Sequence, residues 1–157
     1  MMKKILKSSI LLVMILLLAG CGDSSIASSD GVKKCTRTGE VTNGSSEMNY
    51  EVYYKGEYVT VLHSTEKIIS DSSSVLDTYE KAYKNIFKQY EGLEYYDNKV
   101  TRSSNSVTNE ITINYEKIDI GKLLDIEGEE NNVVENGKVK LETWISFAEK
   151  YGATCED

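Results

Sequence analysis

The reactive side chains of this sequence are few: cysteines at positions 21, 35 and 155, a single histidine, His63, and 25 acidic residues. One histidine leaves imidazole metal sites and most His-dependent acid–base schemes without a second member. It has no recognisable nucleophile and orienting partner, so triad chemistry has no footing, and its position in an alternating strand pattern gives it a structural role. Asp125, Glu127, Glu129 and Glu130 concentrate carboxylates on one loop that could hold calcium, yet the spacing is not that of an EF-hand and a solvated acidic loop accounts for it. There is no glycine-rich phosphate loop, no Gly-x-Ser-x-Gly elbow and no carboxylate pair that stands out among the acids. The expectation is a non-enzymatic protein with no catalytic residue, no metal and no cofactor.

Cys21 carries a different chemistry. Lys3, Lys4 and Lys7 precede an apolar run over residues 10–18, the basic and apolar regions of a secretory signal. Nine residues are too few to span a bilayer, which takes about 20. The tetrapeptide Leu18-Ala19-Gly20-Cys21 then resembles the lipobox of bacterial lipoproteins. That resemblance implies cleavage before Cys21 and attachment of diacylglycerol to its thiol, with palmitate-type acyl chains as the anchor. At about 0.8 kcal/mol per buried methylene, two or more chains hold a domain stably where one myristoyl chain would not. The expected location is the extracytoplasmic face of a cell membrane.

Cleavage removes three lysines and no acids, leaving 137 residues with 15 basic and 25 acidic side chains. That is enough for one domain and too few for two good cores. The negative balance, without any basic cluster, excludes nucleic acid as a partner and leaves membrane contact to the lipid on Cys21. Assigning Cys21 to lipid leaves Cys35 and Cys155 as an even pair outside the cytoplasm, where thiols can oxidise. A bridge between them would close about 120 residues and stabilise the fold by about 4 to 5 kcal/mol in the chain-entropy treatment. Two separate thiols are the alternative.

Eleven tyrosines are many for so small a domain, and tyrosine combines apolar area with a hydroxyl, as binding surfaces require. Tyr79, Tyr83 and Tyr90 fall on a helical core stripe. Tyr53, opposite in phase to Tyr50, Val52 and Tyr54, and the pair Tyr95-Tyr96, of which one must face outward, are the candidates for contacting a partner.

The elements that would position these residues follow from periodicity. Residues 1–20 are the signal peptide, 21–33 the lipidated cysteine and a small, polar, flexible tether, and 34–157 one domain. Period-two patterning predicts strands over 35–41, 49–54, 58–65, 94–102 and 107–117, with Val59, Val61 and His63 sharing a face. Ile68 and Ile69 lead into Asp71-Ser72-Ser73-Ser74, an N-cap cluster for an amphipathic helix over 75–91 whose core stripe holds Leu76, Tyr79, Ala82, Tyr83, Ile86, Phe87 and Tyr90, stopped by Gly92. Asp119 caps a short helix to Leu124, residues 127–137 read as a loop, and 141–151 as a second amphipathic helix. The fold class is α+β: a single domain with an antiparallel sheet of about four to five strands, one long amphipathic helix packed on it and a second, C-terminal helix.

The turn Tyr54-Lys55-Gly56-Glu57-Tyr58-Val59, the strand end Ile113-Asn114-Tyr115-Glu116-Lys117-Ile118-Asp119 and the exit Leu124-Asp125-Ile126-Glu127-Gly128 resemble the YehR-like family of small bacterial lipoproteins. Asn114 departs from that pattern, where an Asp is expected. The resemblance implies a compact α+β domain behind a lipobox and transfers no activity and no catalytic residue. The functional expectation is therefore an interaction or binding module of the cell envelope, meeting an envelope protein or a small ligand. The alternative is a small-ligand or ion-binding accessory of a transporter.

Overall fold

The β-branched and aromatic residues between positions 31 and 70 build three long strands joined by tight turns. In the computed structural model, which describes residues 24–128 and 133–156, these are β1 (Gly31–Val41), β2 (Gly44–Lys55) and β3 (Tyr58–Ser70). A one-turn helix, α1 (Ser24–Ala27), precedes them and lies against β3. The signal segment, Cys21, Glu129 and Glu130 lie outside the described residues. Residues 24–33, expected as tether, are in part structured: the sheet begins at Gly31, and the Asp30 carboxylate accepts a hydrogen bond from the Gly56 amide at 2.7 Å.

Helix α2 (Ser73–Phe87) runs into a 3-10 turn (Lys88–Tyr90) and is followed by β4 (Tyr96–Arg102) and β5 (Ser106–Asn114). Then come α3 (Ile120–Glu127), a small hairpin β6 (Val134–Glu135) and β7 (Lys138–Val139), α4 (Leu141–Lys150) and β8 (Thr154–Cys155). The main sheet has six strands in the order β4-β5-β3-β2-β1-β8, all antiparallel. Its sixth strand was not expected, because the two residues of β8 are too short to show a period. β8 is held by its register, Cys35 opposite Cys155 and Thr36 opposite Thr154.

Several boundaries move for physical reasons. β3 continues to Ser70, with Ile68 buried in the core, since the long β2 offers a partner for its whole length. The hairpin β6-β7 turns on Asn136 (φ 53°) and Gly137 (φ 75°), the left-handed pair that two-residue hairpins favour, inside a stretch expected as loop. α2 keeps its N-cap at Ser72 but no side-chain hydrogen bond caps it, whereas Asp119 does cap α3, accepting from the Lys122 amide at 3.2 Å. Along α2 only Leu76, Tyr83 and Phe87 are fully buried, while Ala82 and Ile86 are exposed. No helix among the described residues is long and apolar enough to cross a membrane.

One irregularity sets the two faces of the sheet. The β2/β3 register shifts so that Tyr53 faces Val61 and Tyr54 faces Val59, leaving Thr60 as an extra residue. The expectation that Val59, Val61 and His63 share a face is thus overturned: Val59 joins the helix-side core and Val61 does not. Beyond the bulge, paired residues share a face because strand side chains alternate. Val52, Leu62, Ile113 and Tyr96 form one row toward the helices, and Tyr50, Ser64, Ile111 and Asn98 the next. Met48, Glu66, Asn109 and Val100 form the third. The other face is polar, as in the row Glu51, His63, Thr112 and Asp97.

Candidate functional site

α2 packs over β3, β5 and β4, and α4 lies at the β8 end of the sheet with Trp144 set edge-on against Tyr50, ring centroids 5.3 Å apart. Two helices on one sheet, held apart in this way, leave the middle of the floor uncovered. The result is a cleft of about 660 Å3. Its floor carries Tyr50, Leu62, Ser64, Glu66, Asn109 and Ile111 from β2, β3 and β5. Tyr83, Ile86 and Phe87 of α2 form one wall, and Trp144, Phe147 and Ala148 of α4 the other. Two large apolar side chains stand in water at its lips, Ile86 on α2 (48% exposed) and Tyr151 just past α4 (51% exposed).

At the far end the 3-10 turn brings Tyr90 flat onto Tyr96, with centroids 4.2 Å apart and planes 8° from parallel. The Tyr90 hydroxyl donates to Glu127 at 3.4 Å. Desolvation, then the Glu127 charge, pushes the Tyr90 hydroxyl up to about 12. The same desolvation raises the Glu127 carboxyl above the ordinary carboxylate range, which the Tyr90 hydrogen bond partly offsets. At the near end the Arg37 guanidinium donates to the Tyr151 carbonyl at 3.1 Å, tying β1 to the end of α4.

Two polar atoms in the cleft wall and floor are buried without a hydrogen bond: the Tyr83 hydroxyl and Asn109 Oδ1. Asn109 is 5% exposed. Burial first, then the Glu66 charge and a hydrogen-bonding contact with its carboxylate, raise the Tyr83 hydroxyl far above the ordinary tyrosine range, and that contact is too loose to satisfy the hydroxyl. A buried polar group left unpaired costs about 1 to 3 kcal/mol, so these atoms describe a site incomplete by itself.

The residues singled out by sequence are scattered. Tyr53 sits on the polar face, its ring edge-on to His63 at 5.6 Å. Nδ1 of His63 is in turn hydrogen-bonded to the Thr112 hydroxyl at 2.8 Å, with no nucleophile in that arrangement. Tyr95, at φ 66°, is 47% exposed with the Lys117 ammonium 5.7 Å from its ring centroid. Tyr96 turns inward, 8% exposed, and so leaves the surface candidates to enter the cleft. Asp125 is exposed and Glu127 partly buried, and among the described residues no three His, Cys, Asp or Glu side chains gather as a metal cluster. Cys35 and Cys155 are joined as a disulfide, Cα atoms 4.0 Å apart. Sequence reasoning passed over Glu66, Asn109 and Trp144 as site residues; Glu66 and Asn109, polar at core-phase positions of two strands, were the signal available.

The fold is similar to that of the E. coli YehR protein solved by NMR, with a TM-score of 0.59 and 21% identity over 80% of this chain and 89% of that one. It is also similar to an NMR structure of a protein from Streptococcus pneumoniae TIGR4, with a TM-score of 0.54 and 15% identity over 80% of this chain and 84% of that one. At these identities the likeness is one of fold. No family model matches the sequence, and no curated protein matches it.

Proposed function

We propose that this chain is a non-enzymatic, lipid-anchored binding module of the cell envelope that holds a small amphiphilic ligand in the cleft between α2 and α4. The observation that carries the ligand is an apolar concavity of about 660 Å3 that contains two buried polar atoms without partners. Small-molecule sites have this form: a volume of about 300 to 1,000 Å3, mostly apolar and aromatic walls, and a few convergent polar groups. Docking a protein on tyrosines would ask instead for an exposed patch, and Tyr53, Tyr95 and Tyr96 do not form one. The lipid half of the reading rests on Lys3, Lys4 and Lys7, the apolar run over 10–18 and Leu18-Ala19-Gly20-Cys21. One domain on a lipid anchor suits an accessory that keeps a ligand near the membrane, as beside a transporter.

Trp144 is the only tryptophan in the chain and lines the cleft, so its emission reports occupancy. Titration of the full chain in lipid vesicles with small amphiphiles of varied charge should give a saturable change in Trp144 emission for at least one class. A folded protein whose emission answers none of them overturns the ligand reading. For the anchor, Cys21→Ser should lose palmitate labelling and leave the membrane fraction, and retention of either would overturn that half.

A further inference from the structure

The ligand class follows from the polar groups of the cleft, given the small-ligand reading on which this inference rests. Glu66 of β3 and Asn109 of β5 are direct cross-strand partners on the helix side of the sheet, so carboxylate and amide oxygen project from neighbouring points of the floor. Above them Tyr83 of α2 presents its unpaired hydroxyl. Among the described residues Glu66 forms no ion pair. The cation of its row, Arg37, stands beyond Met48, two strands away or about 10 Å at ordinary strand spacing, and is engaged with the Tyr151 carbonyl. Glu127 adds a second carboxylate at the far end of the same cleft.

Each class of ligand meets these groups differently. An anion would face two carboxylates. A neutral apolar molecule would bury Glu66 without a counter-charge and leave Asn109 Oδ1 unpaired, and a desolvated carboxylate is costly unless paired and hydrogen-bonded. A quaternary ammonium supplies charge but no N–H for Asn109. A primary ammonium supplies both, and the rings of Tyr50, Tyr83 and Trp144 offer negative π-faces to any cation among them. The rest of the cleft, Leu62 and Ile111 below with Ile86 and Tyr151 at the lips, suits an apolar stem.

We propose that the cleft binds a small protonated primary amine on an alkyl or arylalkyl body, its N–H groups received by the Glu66 carboxylate and Asn109 Oδ1 and its apolar body lying between α2 and α4. No covalent step is involved.

The test uses the full chain in phosphatidylcholine vesicles at pH 7, with Trp144 emission as readout and four probes of nearly one shape: 2-phenylethylamine, 2-phenylethanol, 3-phenylpropionate and phenyltrimethylammonium. The amine should saturate at a concentration lower than the alcohol by about tenfold or more, the advantage of a charge-assisted hydrogen bond over a neutral one. It should also saturate below the quaternary probe, and the carboxylate should not saturate. Glu66→Gln should bring amine and alcohol within about threefold of each other while alcohol binding persists, and Asn109→Leu should erase the advantage of the amine over the quaternary probe. Equal saturation by amine and alcohol in the native chain overturns the amine assignment and leaves the small-ligand reading standing, as does an amine preference undiminished in folded Glu66→Gln. Absence of saturation by all four probes removes both.

Discussion

Cys35 and Cys155 face each other in antiparallel register across β1 and β8, 120 residues apart in sequence, and their disulfide is what fastens the end of the chain to the sheet edge. β8 itself contributes only two residues of pairing, so the covalent link reinforces a short ladder. Because α4 ends just before β8, the same link anchors the cleft wall that carries Trp144.

Reduction, or the Cys35→Ser/Cys155→Ser pair, is expected to lower unfolding free energy by about 4 to 5 kcal/mol, the entropy of closing a loop of this length. Urea titration with and without reductant measures it. In the unreduced, denatured chain neither Cys35 nor Cys155 should react with a thiol probe, and labelling of both would rule the bridge out.

Asn109 tests whether the cleft holds stored cost. Asn109→Leu, nearly isosteric, replaces an unpaired buried acceptor by hydrocarbon and should raise stability by about 1 kcal/mol while weakening ligand binding. A loss of stability in urea would mean that the amide is satisfied where it stands.

Gly44 opens β2 where its backbone passes the end of β3. A Cβ there would run into the Ile69 carbonyl, which is backbone and cannot swing aside. Gly44→Ala should therefore destabilise by about 1 to 3 kcal/mol in a thermal or urea melt, the range for overpacking. A neutral result would show that the β1-β2 turn shifts freely.

Glu127 predicts a pH dependence. Its carboxyl is raised in the fold by desolvation, so the native state holds this proton more tightly than the unfolded chain, whose carboxyl titrates near 4.5. This contribution to stability is fully present below 4.5 and is lost as pH rises through the raised native value. Glu127→Gln should flatten that part of the stability–pH curve, followed by urea midpoints at successive pH values. A slope identical to that of the native chain would show that Glu127 titrates normally.

Much of the fold was legible locally because local periodicity is what a helix or a half-buried strand writes into a sequence. Leu76, Tyr83 and Phe87 recur at helical spacing because α2 must bury one stripe, and Thr108, Glu110 and Thr112 alternate with Val107, Ile111 and Ile113 less regularly because β5 buries one face and carries Asn109 into the cleft. Tyr95 and Tyr96 had to point opposite ways, but which one entered the interior depended on β4 pairing with β5. The bulge at Thr60 could not be read at all, since it needs the register of a second strand.

The sequence by itself determined the signal-like N-terminus with its lipobox-like cysteine, the acidic balance, the cysteine pair left for a bridge and the α+β class. Each of these is written in contiguous residues or in counts. Tertiary structure alone decided the candidate site. Glu66 and Asn109 lie far apart along the chain and meet because β3 and β5 are neighbours in one register. Tyr83 and Trp144 face the same space because two helices pack on that sheet without closing over it. A cleft is a relation between surfaces, and no single stretch of sequence contains both of its walls.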